Sequence, residues 1–314
     1  MGTRKQLQTG TKESFKFCIL GGKQKLNRAD NCHKPMVSPR LANDPPPSSP
    51  SELVVASVRQ HRRLDGLLDR LRLLAEIGDS SASCVDRMIN AEQDRAKVTL
   101  AFLAAGVMGQ TPCTASSLEE AADLLGWGAV IQASQAVLYM AACREIGKDS
   151  GVTGMGLFRR SLLTGIAART LGQGMRMPES DSFALGLLQD LGVLGISAWK
   201  KEAYAEWIES EAGPDWTWER SSYGIDHTQA GLALLIYRGF KPALCEAAAF
   251  HHGPLERISV SARLASCAVT LALNPEDELM QVHIAKALGV NNICAGEAAE
   301  RVRLARVGLS RLLR

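Results

Sequence analysis

Two histidines, His251 and His252, stand side by side in AAAFHHG, closing an apolar segment of a chain with six histidines in all. Imidazole is the commonest transition-metal ligand and the usual proton carrier near neutral pH. His227 opens the phrase GIDHTQAGLALL, 24 residues before His251, and Asp190 ends a helical stretch in FALGLLQDLGVLGI. Three imidazoles and one carboxylate match zinc in number and in type. Adjacent residues on a helix point about 100° apart, however, so helical spacing predicts that His251 and His252 do not both face one ion.

The elements that must position these side chains are helices. LDGLLDRLRLLAEIG places Leu64, Leu67, Leu68, Leu71, Leu74 and Ala75 on one stripe. SSLEEAADLLGWG has a capping-box start at Ser116 or Ser117, followed by Glu119 and Glu120, and a stop at Gly126. Further helical signals cover about 81–92, 94–108, 128–145, 156–172, 179–190, 200–211, 226–238, 241–251, 258–272, 278–288 and 294–312. Hairpin turns and alternating β-branched runs are missing from the sequence, so the fold class is all-α.

Residues 1–50 carry nine Lys/Arg against three Asp/Glu and end in the Pro/Ser run NDPPPSSPS, the composition of a disordered basic arm. The rest of the chain holds 27 Lys/Arg against 30 Asp/Glu, which argues against a reader of duplex nucleic acid. Eight scattered cysteines with no Cys-x-x-Cys read as reduced core residues, and hence a cytoplasmic location. No apolar run comes near the ~20 residues of a membrane span, so no membrane partner is expected. Neither a P-loop, a Gly-x-Gly-x-x-Gly nor a Gly-x-Ser-x-Gly occurs.

The phrases GLFRRSLLTGIA, FALGLLQDLGVLGI, GIDHTQAGLALL and AAAFHHG, in this order, resemble the HD superfamily and most closely its HDOD branch, the HD-related output domain. Upstream, ASSLEEAADLLGWGAV and VDRMINAEQD are similar to the N-terminal half of such domains, so the resemblance covers about residues 60–290. Departures are Arg95 where Pro is usual, and LAAGVMG without the usual Asn-Ser. The resemblance implies that an active relative would use histidines and aspartates from several helices to hold divalent metals, which activate water and clamp phosphate. It puts the first ligand position at Arg160, the His-Asp signature at Gln189-Asp190 and the closing Asp near Ser266 and Cys267. A guanidinium is charged at physiological pH and cannot ligate a cation, and Arg160 could instead pair with Asp190. The positions Arg160, Gln189 and Ser266 are thus lost, and Asp190, His227, His251 and His252 are expected to form a vestigial, metal-free cluster with no catalytic residue and no cofactor.

Elsewhere, IAKALGV and the helix after it admit a helix-turn-helix reading. The favoured alternative is a helix pair that completes the bundle with Leu279, Val282, Ile284 and Leu288 inward. Arginines 301, 303, 306, 311 and 314 form a basic tail, read as a solvated face in preference to a docking surface. Trp216 and Trp218 are expected in a loop before His227, packed over a core edge or exposed as interface anchors.

The expectation is therefore an HDOD-like bundle of two packed helical subdomains, over 53–150 and 151–290, behind an arm at 1–52 and followed by a basic amphipathic helix at 291–314. The resemblance implies a non-catalytic bacterial signalling module that relays regulatory input to a protein partner. The alternative is a metal-dependent HD-type phosphohydrolase with a rearranged site; whether a small ligand binds is left open.

Overall fold

Every regular element among the described residues is helical. The structure is a computed structural model and describes residues 49–76, 93–210, 213 and 215–312. The expected arm before residue 49 and the helical signal at 81–92 lie outside the described residues, as does Arg314. The order is α1 (Pro50–Gln60), α2 (Arg62–Glu76), α3 (Gln93–Ala104), α4 (Leu118–Leu125), α5 (Trp127–Asp149), α6 (Met155–Gly174), α7 (Glu179–Leu188) and α8 (Leu191–Lys200). A 3-10 turn (Lys201–Tyr204) leads into α9 (Ala205–Glu209), α10 (Trp216–Tyr223), α11 (His227–Arg238), α12 (Pro242–Phe250), α13 (Val260–Leu273), α14 (Glu278–Leu288) and α15 (Asn292–Leu312).

Helix α6 is the centre. It is buried almost all round and packs against α7, α13, α15 and α5. The stripe foreseen on α2 is buried as a set. At α4 the cap is Ser117, which accepts the Glu120 amide, while the Glu120 carboxylate takes the amide and hydroxyl of Ser116. One continuous apolar core joins residues on both sides of position 150.

Several boundaries differ from the sequence expectation. Helix α1 begins at Pro50, inside the Pro/Ser run, because Ser49 and Glu52 make a reciprocal capping box. Helix α8 gave no periodic signal, since Leu191 to Ser197 are buried on every side and no polar face breaks the pattern. The expected helix at 200–211 is a 3-10 turn followed by the short α9. Trp216 and Trp218 lie on a helix instead of in a loop, for the Asp215 carboxylate caps the amides of Thr217 and Trp218.

On α14 the inward set is Ile284, Ala285 and Leu288, whereas Leu279 and Val282 are 76% and 45% exposed. Those two positions fall on the opposite flank of the stripe that meets α15 and α13. Arg301, Arg306 and Arg311 are exposed, in keeping with a solvated face, and three of the tail arginines also tie to nearby groups: Arg301 donates to Gly109 O, Arg303 pairs with Glu300 and Glu276, and Arg306 donates to Ala272 O. The stretch Glu179–Glu209 is long and apolar enough by composition to cross a membrane, which the run-length reading passed over; 89% of its apolar window is buried inside the fold. Its apolarity serves the core.

Candidate functional site

Four elements converge where α8 meets α11. The approach depends on glycine: a Cβ on Gly192 would lie 1.8 Å from the His227 carbonyl oxygen and 2.5 Å from the Gly231 nitrogen. Only a residue without a side chain lets the start of α8 touch the start of α11 backbone to backbone, and this contact brings Asp190 under His227.

Arg160 on α6 reaches Asp190 with an Nε–Oδ2 distance of 2.9 Å, both side chains almost wholly buried. Its Nη1 donates to the Ser210 carbonyl, whereas Nη2 finds no hydrogen-bond acceptor. The pairing anticipated from sequence is present. Burial alone would raise the Asp190 carboxyl, but the Arg160 guanidinium outweighs it, helped by His251 and His227, and holds the group well below the ordinary carboxylate range. The other oxygen, Oδ1, faces the imidazoles, 3.3 Å from His251 Nε2 and 3.8 Å from His227 Nε2.

The histidines do meet. Helix α12 ends at Phe250; His251 is its C-cap and His252 belongs to the turn that follows, so helical spacing does not govern the pair. The expectation that they diverge is corrected by the structure: their ring centroids are 4.2 Å apart, and those of His227 lie 5.5 and 5.0 Å from them. His227 Nε2 is 2.9 Å from His252 Nε2, and one ring nitrogen from each of the three falls within 4.8 Å of the others. His251 and His227 are buried, while His252 is exposed at its outer edge. There Trp216 stacks on it at 6.4 Å and 22°, with the Arg220 guanidinium 5.3 Å over the indole.

Sequence reasoning missed Glu219 and Tyr204. Glu219, on α10, is fully buried; its Oε2 accepts the His227 Nδ1 proton at 2.6 Å and the His227 amide at 2.7 Å. The buried Tyr204 hydroxyl donates to its other oxygen. Burial is the largest influence on His227 and would lower its pKa, but the Glu219 hydrogen bond and the charges of Asp190 and Glu219 raise it above the ordinary value. His252 is pushed down to about 4, first by burial and then by the other two imidazoles. The signal available in the sequence was Asp215, a helix cap that turns TWERSSY into a helix and points Glu219 inward.

Gln189 and Ser266 do not join the cluster. The Gln189 amide is buried with neither its oxygen nor its nitrogen hydrogen-bonded, and Ser266 is half-buried on α13, where its carbonyl accepts the Thr270 hydroxyl. The neighbouring Cys267 is buried, its thiol pushed up to about 11. The histidine and aspartate set of a working HD metal centre is therefore not met by the residues at these positions: a guanidinium occupies the pocket at Arg160, and no carboxylate stands at 266 or 267.

Residues 64–254, well over half of the chain, match the HDOD domain family. The chain belongs to that family. No curated protein matches it in sequence. Among solved structures it is similar to a protein of Shewanella amazonensis SB2B whose name ranks it provisionally among the phosphohydrolases, with a TM-score of 0.60 and 17% identity, covering 83% of this chain and 100% of that one. An HDOD domain protein of unknown function from Geobacter sulfurreducens gives a TM-score of 0.58 and 15% identity, covering 83% of this chain and 98% of that one. A protein of Marinobacter aquaeolei VT8, provisionally named for signal transduction, gives 0.55 and 14%, covering 84% of this chain and 65% of that one. At such identities these likenesses speak for the HDOD fold.

Proposed function

We propose that the protein is a non-catalytic HDOD signalling module of the bacterial cytoplasm, which relays regulatory input through contacts with a protein partner. One observation carries this reading: Arg160 is buried in an ion pair with Asp190 at the place where a hydrolase of this superfamily would put its first metal ligand. A fixed positive charge there repels the cations that a two-metal hydrolysis needs, and it occupies one oxygen of the carboxylate that would bridge them. Membership of the HDOD family and the signalling name of the Marinobacter relative favour the same direction. Exposed apolar side chains such as Ile236, Phe250 and Ile293 offer anchors for protein contacts.

The alternative is a metal-dependent phosphohydrolase with a rearranged site. The meeting of three imidazoles favours it, as does the name of the Shewanella relative. Assay of phosphodiester and nucleotide hydrolysis with Mn²⁺, Fe²⁺ or Zn²⁺ separates the two. The expected result is no turnover above the background of each metal alone. Hydrolysis that disappears in His227→Ala would replace the signalling reading with the enzymatic one.

A further inference from the structure

We propose that the outer face of α15 is a self-association surface, on which a second copy of this chain docks antiparallel about a two-fold axis between residues 305 and 306. This stands apart from the signalling reading and would hold equally for an enzyme.

The helix carries two stripes. Ala295, Ala298, Ala299, Val302, Ala305 and Leu309 are buried, and α15 packs against α6. On its other side Ile293, Glu297, Glu300, Leu304, Val307 and Arg311 are all exposed. They follow one another at intervals of four, three, four, three and four residues, the spacing that keeps a seam turned toward a partner helix. The seam sits on a fixed element. A Cβ on Gly308 would lie 2.7 Å from the Ala105 carbonyl oxygen, so the helix rests backbone to backbone on the segment after α3.

Exposed apolar residues taken singly are ordinary on a protein surface. The order of charge along the seam is the informative part. Glu297 and Glu300 precede the apolar pair Leu304 and Val307, and Arg311 follows it. Parallel copies would set Glu300 against Glu300 and Arg311 against Arg311, like charge on like. The antiparallel register sets Glu300 against the partner's Arg311 and Leu304 against the partner's Val307, and the two-fold axis repeats both contacts. On the flanks it brings Arg303 beside the partner's Ser310 and Arg301 beside the partner's Gly308, so no like charges meet there.

The ion pairs within the chain leave room for this. Arg301, Arg303 and Arg306 each bind a carbonyl or a carboxylate of their own chain, whereas Arg311 has no such partner among the described residues. Glu300 keeps 54% of its side chain exposed despite its pair with Arg303, so a second guanidinium can reach it. A seam of four residues per copy is a small interface, and the dimer should form in the micromolar range.

The test is sedimentation equilibrium of the full chain in reducing buffer, from about 1 to about 200 µM. The mass should rise from monomer toward dimer across that range. Leu304→Glu, which puts a charge into the apolar centre, should raise the dissociation constant about tenfold or more, with circular dichroism and Tm unchanged. Glu300→Arg and Arg311→Glu should each weaken the dimer. Both together restore opposite charges across the axis and should return the constant to within about threefold of wild type. A monomer at the highest concentration, a dimer indifferent to Leu304→Glu, or a double variant no better than its singles would overturn the proposal. A monomer that engages a different protein through Leu304 and Arg311 would give the face to that partner and overturn it as well.

Discussion

Removing the Arg160 side chain should expose how much of the fold rests on the pair at its centre. In Arg160→Ala, Asp190 loses its 2.9 Å partner while only 6% of its side chain reaches solvent, and the Ser210 carbonyl loses its donor. Breaking a buried ion pair from one side costs about 3–5 kcal/mol. Asp190 keeps an imidazole 3.3 Å from Oδ1, which moves the expectation to the lower end, near ~3 kcal/mol. For a unit of this size that is a fall in Tm of roughly 6–12 °C. Urea denaturation checks it, with the midpoint falling at constant slope.

The deficit should depend on pH with a definite sign. Because the folded-state pKa of Asp190 is depressed, its contribution is present above the unfolded carboxylate value of about 3.9 and is lost as pH falls through the folded pKa. The gap between wild type and Arg160→Ala should therefore close below about pH 4. Replacing both partners, Arg160→Met with Asp190→Leu, should recover most of the loss, since an apolar pair needs no desolvation of charge. A single variant within ~0.5 kcal/mol of wild type, or a double variant no better than the sum of its parts, would refute the reasoning.

Other perturbations test the frame around the pair. Gly192→Ala forces a Cβ to within 1.8 Å of the His227 carbonyl and should cost about 3 kcal/mol or more; an unchanged Tm would mean that α8 and α11 do not touch there. Leu188→Ala should cost roughly 2–5 kcal/mol as a cavity in the core, read from the urea midpoint. Tyr204→Phe leaves a buried Glu219 oxygen without its donor and should lose about 1–3 kcal/mol by the same measurement. Cys267, with its thiol pushed up to about 11, should resist alkylation at pH 8 until the protein is denatured, as peptide mapping would show.

How far the site was legible depended on how its elements announce themselves. The long helices carry their own period, so the all-α fold, the α2 stripe and the cap of α4 could be read directly. Arg160 and Asp190 were legible as a pair because charge chemistry leaves a buried guanidinium few alternatives. Glu219 was not, since α10 is only eight residues long and its sequence has no apolar stripe. The histidine pair failed for a more instructive reason. Helical spacing was applied to His251 and His252, but Gly253 and Pro254 directly after them already mark the end of the helix. His251 caps α12 with its amide still bonded to Ala247 O, and His252 lies in the turn after it, so the 100° spacing of a continuous helix does not by itself fix where the two rings lie. There the two rings are neighbours at 4.2 Å, and a residue on the surface reaches a ring buried on α11. The loss of ligands on α6 and α13 and the gathering of imidazoles at α11 and the turn after α12 are thus separate facts about one pocket. The first weakens the case for hydrolysis, and the second leaves three imidazoles beside a buried carboxylate that a guanidinium already holds.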